Sequence, residues 1–381
     1  LGLVANMAAT QTMTVEVAGG EPTREKILDR FELSTQLLGE GGYGRVLLAS
    51  DTSTTPAIPV AAKVLELSDG LTAAQAAREV DAYRAVQAHG RCEFVLRLIA
   101  DAPQARAHLL ILELCGGGDL LDRVLDSGGL SEAHAANVFG QMTAAVAHCH
   151  GLRVAHRDIK LENVMLTATG QARLGDLGLA AIAPAAAADV GSGGGWCADF
   201  AGSPSYAAPE VWSAQTQPYD GFAADMWSMG VCLRRLRRRP LLRGWWHSPN
   251  RESHCHAADF GACDAHVPSR CRALHASHAS RAFHASHASR PRCLFTMLTN
   301  MFPMDCADPR RRADALPDWR YELLQQCEKA GACFAAALHG ELARPLRLSA
   351  GALETVGCLL ATDAPRRRTA AALLQTTWLD P

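Results

Sequence analysis

The sequence has 381 residues, of which 48% are hydrophobic and 20% are charged, and its formal net charge is -2. The length allows a sizeable core, and the small net charge does not favour nucleic acid or a membrane surface as a partner. No run of about 18 apolar residues occurs, so no transmembrane helix is expected, and the N-terminus lacks the pattern of a signal peptide. The 13 cysteines are scattered, which favours a reducing intracellular compartment, cytoplasmic or nuclear, over a disulfide framework.

The first third of the chain predicts a small, mostly antiparallel β lobe with one helix. Residues 1–24 are small and polar without periodicity, and we expect them to be disordered. An Ala-rich stretch over about 72–86 predicts the helix. Short apolar runs separated by turn residues predict strands at 31–38, 44–50, 59–67, 94–100 and 108–114.

After the glycines at 116–118 the pattern becomes helical. Ser131 is a suitable N-cap for a helix that continues to about His150. Residues 233–293 interrupt the pattern, because they lack a hydrophobic period and contain HASHASR twice. We hypothesise a low-complexity insertion or a translated intron, and the repeat favours the intron.

A glycine-rich sequence, LGEGGYGRV, occupies residues 38–46 and places Gly39, Gly41 and Gly44 in a GxGxxG spacing. Glycines here let backbone amides approach phosphate oxygens without a Cβ in the way. Rossmann dinucleotide sites share this spacing, but in them a helix follows the glycines. Here the strand pattern continues, so the sequence favours a strand–turn–strand phosphate site.

A lysine on the third predicted strand is the next candidate. Lys63 ends VAAK, 19 residues after Gly44, and from a strand it could reach the α- and β-phosphates of a nucleotide. Such a lysine needs an anionic partner, and Glu79 lies 16 residues further on, within the predicted helix. The alternative interpretation of Glu79 is a solvated helix carboxylate.

The strongest single motif is HRDIKLEN at residues 156–163. It matches the catalytic-loop pattern H-R-D-L-x-x-x-N. Asp158 would accept the proton of an attacking hydroxyl, Asn163 would offer an amide oxygen to Mg²⁺, and Lys160 would place a positive charge beside the transferring phosphoryl group. The alternative, a polar turn after a helix, is far less consistent with four specified polar residues at fixed spacing.

A second metal ligand follows at DLG, residues 176–178. The Asp176 carboxylate is a hard oxygen ligand suited to Mg²⁺ that bridges nucleotide phosphates. Leu177 stands where phenylalanine is usual, and we expect it to pack on the helix that carries Glu79.

Together these motifs resemble those of eukaryotic-type serine/threonine protein kinases, over about residues 31–379 apart from 233–293. Within that family the sequence resembles the group of calcium/calmodulin-dependent and AMP-activated kinases. The motifs that complete the resemblance are LCGGGDLLDRV (114–124), GSPSYAAPE (202–210), DMWSMG (225–230) and DAPRRRTAAALLQTTWL (363–379).

The resemblance implies an α+β, two-lobed protein kinase fold, with a small β lobe at 31–114 and a larger helical lobe at 115–381. It implies ATP-dependent phosphorylation of protein serine or threonine, with ATP and Mg²⁺ in the cleft between the lobes. The catalytic residues would be Lys63, Asp158, Lys160 and Asn163. The nucleotide-binding residues would be Leu38, Gly39, Gly41, Gly44, Val46, Ala61, Lys63, Glu79, Glu113, Cys115, Asp119, Met165 and Asp176, and the metal ligands Asn163 and Asp176.

The resemblance also assigns positions around the adenine. Val46, Ala61 and Met165 would sandwich the ring. Backbone groups of Glu113 and Cys115 would bond its edge.

Other roles implied by the resemblance lie around this ring and in the helical lobe. Leu112 would lie behind the adenine, and Asp119 would contact the ribose. Glu210 would pair with Arg367. With Asp119, Glu162 would contact an arginine upstream of the target residue.

The stretch from Asp176 to Glu210 corresponds to the activation loop, and we expect its middle, residues 181–200, to be mobile. Arg157 would pair with a loop phosphate, as in many relatives. Ser192 and Ser203 are the candidate phosphosites, although the hydroxyl of Ser203 could be structural. An upstream activating kinase is therefore an expected partner, besides the protein substrate.

Two alternatives concern the interrupted region. A pseudokinase or scaffold would result if residues 233–293 disrupted the helical lobe. A metal-binding module could use the histidines and cysteines of 247–293, but their spacing matches no zinc pattern.

Overall fold

A computed structural model describes the chain at residues 27–41, 44–68, 70–127, 129–184, 195–236, 319–330 and 349–379. The predicted disordered segment 1–24 and all but the first four residues of the predicted insertion 233–293 lie outside these ranges. The described residues form a β lobe followed by a helical lobe, as the sequence predicts.

The β lobe is a five-stranded antiparallel sheet in the order β1-β2-β3-β5-β4. Consecutive strands are joined by short connections except between β3 and β4, where a helix intervenes. The strands are β1 (Phe31–Gly41), β2 (Gly44–Asp51), β3 (Ile58–Glu66), β4 (Leu98–Pro103) and β5 (Ala107–Glu113).

The predicted strand at 94–100 begins four residues too early. Residues 94–96 pair with the helical lobe, where Leu96 N–H donates to the carbonyl of Leu174 and Leu174 N–H donates to that of Phe94. Pairing with β5 begins at Arg97, whose carbonyl accepts from Glu113 N–H, and continues along β4 from Leu98. The apolar run is therefore shared between the two lobes, which a local sequence pattern does not reveal.

Helix α1 (Ala73–Gln87) confirms the helix predicted over 72–86. Thr72 caps it, since its hydroxyl accepts from Gln75 N–H while the Gln75 side chain accepts from Thr72 N–H. Tyr83 is among the residues that the helix buries against the sheet.

The helical lobe contains six described α-helices and two short two-stranded sheets. The helices are α2 (Leu120–Ser127), α3 (Glu132–Gly151), α4 (Gly221–Leu236), α5 (Trp319–Ala330), α6 (Ala350–Leu359) and α7 (Ala370–Leu373). The sheets pair β6 (Val154–Ala155) with β9 (Ala181–Ile182), and β7 (Val164–Leu166) with β8 (Ala172–Leu174).

The predicted cap of α3 is confirmed, because the Ser131 hydroxyl accepts from His134 N–H. Helix α4 contains the motif DMWSMG at 225–230 and continues to residue 236. Its interior is packed, since Trp227 and Leu233 are 1% and 2% exposed.

One continuous apolar core joins the two lobes, with members from α1 and the inner face of the sheet and from α3, α4 and α6. A second, smaller core covers the other face of the sheet and contains Phe31, Val60 and Ile111. Among the helices of the described ranges, none combines the length and the apolarity that crossing a membrane requires.

Candidate active site

The glycine-rich sequence forms the turn between β1 and β2. Gly39 pairs with Val46 and Gly41 pairs with Gly44, so the predicted strand–turn–strand arrangement is confirmed. Gly44 has φ +147°, and a Cβ there would lie 1.9 Å from the carbonyl oxygen of Val64. Only glycine fits this approach between adjacent strands.

Lys63 lies on β3 and its ammonium group joins two carboxylates from different elements. Nζ lies 2.7 Å from Oε1 of Glu79 on α1 and 2.8 Å from Oδ1 of Asp176 after β8. The Glu79 side chain is only 4% exposed. The interpretation of Glu79 as a solvated carboxylate is therefore wrong, and the anionic partner of Lys63 is this residue.

Burial and neighbouring charges have opposite effects on the pKa values of Lys63, Glu79 and Asp176. Burial lowers the pKa of Lys63, but the two carboxylates outweigh it and the pKa lies above its ordinary value. Burial raises the pKa of Glu79 despite the adjacent ammonium group. For Asp176, burial raises the pKa, but Lys63 outweighs it and the pKa is lowered. Lys63 and Asp176 are thus held as a charged pair.

Asp176 adopts a left-handed backbone conformation, φ 60° and ψ 69°. Its N–H donates to the hydroxyl of Tyr83 at 3.1 Å. Leu177 follows and is 1% exposed within the core that includes α1, which confirms that it packs against this helix. Sequence reasoning missed Tyr83, although its spacing of four residues from Glu79 places both on one face of α1.

The catalytic-loop carboxylate of Asp158 is surrounded by hydrogen-bond donors. Lys160 Nζ donates to Oδ2 at 2.7 Å, and both the N–H and the hydroxyl of Ser203 donate to Oδ1 at 2.9 Å. Asn163 Nδ2 donates to the carbonyl oxygen of Asp158 at 2.8 Å. The structure therefore brings Asp158, Lys160 and Asn163 together, and Ser203 from the later loop joins them.

Asp225 on α4 holds the catalytic loop in place through hydrogen bonds to its backbone. Its carboxylate accepts from the N–H groups of His156 and Arg157 at 2.8 and 2.7 Å, and from Nε2 of His150 at 2.9 Å. Its side chain is fully buried. Arg157 has φ 63°, a strained conformation that these bonds help to hold. Asp225 was not predicted to have a role, although an aspartate within an apolar helix indicates a buried partner.

The positions assigned to the adenine lie close together in the sheet. Ala61 pairs with Leu48 on one side and with Leu112 on the other. Across the cleft, a backbone bridge joins Met165 to Asp119.

The connection between the lobes follows β5. Glu113 is its last residue, and its side chain accepts from Arg97 N–H at 2.8 Å. Cys115 is half-buried, and burial raises its pKa to about 12. Asp119 caps α2 by accepting from Asp122 N–H, and burial raises its pKa.

Asn163 and Asp176 offer oxygen atoms of the kind that Mg²⁺ prefers. The Asn163 amide nitrogen donates to Asp158, so its oxygen is the atom available to a metal. Asp176 bonds Lys63 through one oxygen, and its side chain is 47% exposed. Within the described ranges no group of three His, Cys, Asp or Glu ligands occurs. In nucleotide sites Mg²⁺ is commonly held by one or two carboxylates together with substrate phosphates.

The predicted pair of Glu210 and Arg367 is confirmed, with Nη2 to Oε2 at 2.8 Å. Glu162 bonds the Tyr206 hydroxyl at 2.9 Å, so this carboxylate has a partner within the chain. Ser192 and residues 247–293 lie outside the described residues.

Part of the stretch expected to be mobile is held by main-chain pairing. Residues 181–182 form β9, and Cys197 exchanges hydrogen bonds with Tyr219. The expectation of mobility across 181–200 is wrong for these two ends, because each finds a backbone partner outside the loop.

A two-lobed fold that combines a Lys–Glu pair in the β lobe with an HRD loop in the helical lobe defines a protein kinase. The sequence profile of the protein kinase domain matches residues 33–379. The chain belongs to the protein kinase domain family, as its motifs predict.

Curated relatives include three plant kinases of similar sequence. The chain is 34% identical over 207 residues to CBL-interacting protein kinase 9 of Oryza sativa subsp. japonica, covering 54% of this chain and 42% of that protein. It is 34% identical over 209 residues to CBL-interacting serine/threonine-protein kinase 1 of Arabidopsis thaliana, covering 54% and 44%. It is 39% identical over 216 residues to CBL-interacting protein kinase 4 of Oryza sativa subsp. japonica, covering 55% and 44%. The matches therefore span less than half of these relatives.

Proposed function

We propose that this chain transfers the γ-phosphoryl group of ATP to serine or threonine hydroxyls of protein substrates. The observation that carries the proposal is the Lys63 ammonium group held between Glu79 and Asp176. This arrangement brings a sheet lysine, a helix carboxylate and a candidate metal ligand to one place. Protein kinases need these parts together for phosphoryl transfer.

Lys63 and two residues of the catalytic loop, Asp158 and Lys160, have direct roles in the proposed reaction. Phosphoryl transfer passes through a loose transition state, so the protein mainly positions the reactants and offsets charge. Lys63 would bind the α- and β-phosphates. Asp158 would orient the attacking hydroxyl and accept its proton, while Lys160 would stabilise negative charge on the transferring group.

Mg²⁺ would be held by Asn163 and Asp176 together with the phosphates, where it supplies positive charge against the phosphate oxygens. The contact of Asn163 with Asp158 fixes the loop side of this site. The contact of Asp176 with Lys63 fixes the other side.

Three observations support serine or threonine as the target and a basic residue upstream. Lys160 contacts both Asp158 and Ser203, as the resemblance to serine/threonine kinases implies. Burial, together with the nearby carboxylates of Asp122 and Glu162, raises the pKa of Asp119, so these side chains form an acidic cluster that a basic residue could neutralise. The relatives' names include serine/threonine-protein kinases.

We place the protein inside the cell, in the cytoplasm or the nucleus. No disulfide joins the cysteines that the structure describes, which suits a reducing compartment. Every position of the catalytic motifs keeps its functional side chain, and no observation favours the pseudokinase alternative.

The experiment is ATP turnover on a serine peptide with an upstream arginine, using the full chain. We expect Lys63→Met and Asp158→Asn each to reduce turnover by at least roughly 10²–10³-fold, as for other lost electrostatic contacts in active sites. Lys329→Met and Asp126→Asn change exposed residues of the same types and serve as matched controls. Normal turnover by Asp158→Asn would contradict the proposal.

A further inference from the structure

The guanidinium of Arg157 joins three segments of the helical lobe. It follows His156 in the catalytic loop, its Nε donates to the carbonyl oxygen of Leu179, and its Nη1 donates to Oδ1 of Asp199 at 2.5 Å. The Arg157 side chain is 11% exposed. Burial lowers its pKa, but the bond to Asp199 outweighs burial and the pKa is raised. The guanidinium is therefore charged, largely buried and paired with this carboxylate.

The main chain around Asp199 is held on both sides. The Tyr219 hydroxyl donates to the Asp199 carbonyl oxygen at 3.3 Å, and Cys197 pairs with Tyr219 through backbone bonds. Three residues after Asp199, Gly202 has φ +97°, and a Cβ there would lie 2.3 Å from the carbonyl oxygen of Arg157. The segment thus contacts the catalytic loop through the Asp199 side chain and again at Gly202.

Many kinases order this loop by phosphorylation, which supplies an anion to an arginine. Here a carboxylate encoded in the sequence already bonds that arginine. Ser203, the one described candidate phosphosite, donates its hydroxyl to Asp158. A phosphate on Ser203 would place negative charge against that carboxylate, which is unfavourable.

We propose that Asp199 is a built-in anionic anchor that holds the activation segment against Arg157 and positions the catalytic loop, so that catalysis requires no activating phosphorylation. The inference rests on the proposed kinase function. Asp199 acts through Arg157 and is a positioning residue. The upstream kinase expected from the sequence is then not required.

The test uses the full chain treated with phosphatase, with loss of phosphate verified by mass spectrometry. Its variants are Asp199→Asn, which removes the charge, and Asp199→Glu, which keeps it. Glu354→Gln is the matched control, because Glu354 is 63% exposed and pairs with Arg368 at 2.8 Å, much as Asp199 is 67% exposed beside its arginine. The readouts are kcat, KM for ATP, and hydrogen exchange over residues 196–203.

We expect the phosphate-free chain to keep its kcat. Asp199→Asn should lower kcat about tenfold. This is the lower end of the range for losing a hydrogen bond to a charged group, because the Asp199 side chain is exposed. KM for ATP should change little, because Lys63 and Glu79 are untouched, and exchange over 196–203 should become faster. Asp199→Glu should restore most of kcat, and Glu354→Gln should match the unmodified sequence.

Two results would overturn the inference. One is a chain that loses its turnover when phosphate is removed; the other is an Asp199→Asn variant with unchanged kcat and exchange. The first leaves the kinase proposal standing. A chain that carries phosphate before treatment and is inactive both before and after it would instead refute the kinase proposal. A chain that carries no phosphate and is inactive would overturn the inference, as would unchanged exchange in Asp199→Asn.

Discussion

The hydroxyl of Tyr83 on α1 accepts a hydrogen bond from the backbone N–H of Asp176, 93 residues further along the chain. Tyr83 is fully buried, and burial raises its pKa well above the ordinary value, so the hydroxyl stays neutral. The same helix carries Glu79, which bonds Lys63. Helix α1 therefore fixes both members of the Lys63–Asp176 pair, one through a side chain and the other through the backbone.

We expect Tyr83→Phe to lower kcat by about three- to tenfold, the range for one neutral hydrogen bond. The ring remains to fill the core, so the thermal midpoint should fall only slightly. Steady-state kinetics and a melting curve measure the two effects. An unchanged kcat would show that the Tyr83 hydroxyl does not position Asp176.

Gly44→Ala should weaken the hairpin between β1 and β2. The added Cβ meets the Val64 carbonyl oxygen, and the positive φ is unfavourable for alanine, which costs about 1–3 kcal/mol for strained backbone. KM for ATP should rise.

Gly140→Ala is the comparison. Gly140 lies within α3, and a Cβ there meets nothing within 4 Å. Alanine in a helix is favoured over glycine by about 1 kcal/mol. The two variants should shift the melting temperature in opposite directions, and equal shifts would argue against the strain.

Arg367→Met should destabilise the helical lobe. The Arg367 side chain is fully buried and bonds Glu210 and the Ala223 carbonyl, so its loss leaves a partly buried carboxylate unpaired at a cost of about 3–5 kcal/mol. Denaturant unfolding measures the change. Arg366→Met, at a residue whose side chain is 70% exposed, should cost under about 1 kcal/mol. Similar losses for both variants would contradict the assigned role of Arg367.

Asp51 should make the stability of the β lobe depend on pH. Its carboxylate accepts from Arg30 Nε at 2.8 Å and from Ser53, and the bond to Arg30 lowers its pKa well below the ordinary 3.8. A lowered pKa in the folded state gives stabilisation that is complete above the ordinary value and is lost as pH falls below it.

The measurement compares melting temperatures of the unmodified chain and Asp51→Asn from pH 7 to pH 3. The unmodified chain should melt higher near neutral pH, and the difference should shrink below about pH 4. A difference that stays constant to pH 3 would show that the ionised carboxylate is not the source.

Local signals predicted the parts of the fold and site that depend on local sequence. The strands β1, β2, β3 and β5, the helix α1 and the helix cap at Ser131 follow from period and capping chemistry. Lys63 and Asp158 stand in motifs of fixed spacing. These features need no knowledge of distant residues.

Contacts between distant segments could not be predicted in the same way. Glu79 was ambiguous because a helix carboxylate is solvated or buried depending on what packs against it. Tyr83, Asp199 and Asp225 were missed as contacts because their partners lie 93, 42 and 68 residues away. The start of β4 was misplaced because residues 94–96 pair with β8.

The position of Asp225 within α4 bears on the interruption at residues 233–293. This aspartate lies eight residues before residue 233, where the interruption begins, and its described hydrogen-bond partners, His150, His156 and Arg157, all precede it in the chain. The bonds by which Asp225 holds the catalytic loop are therefore encoded entirely upstream of the interruption.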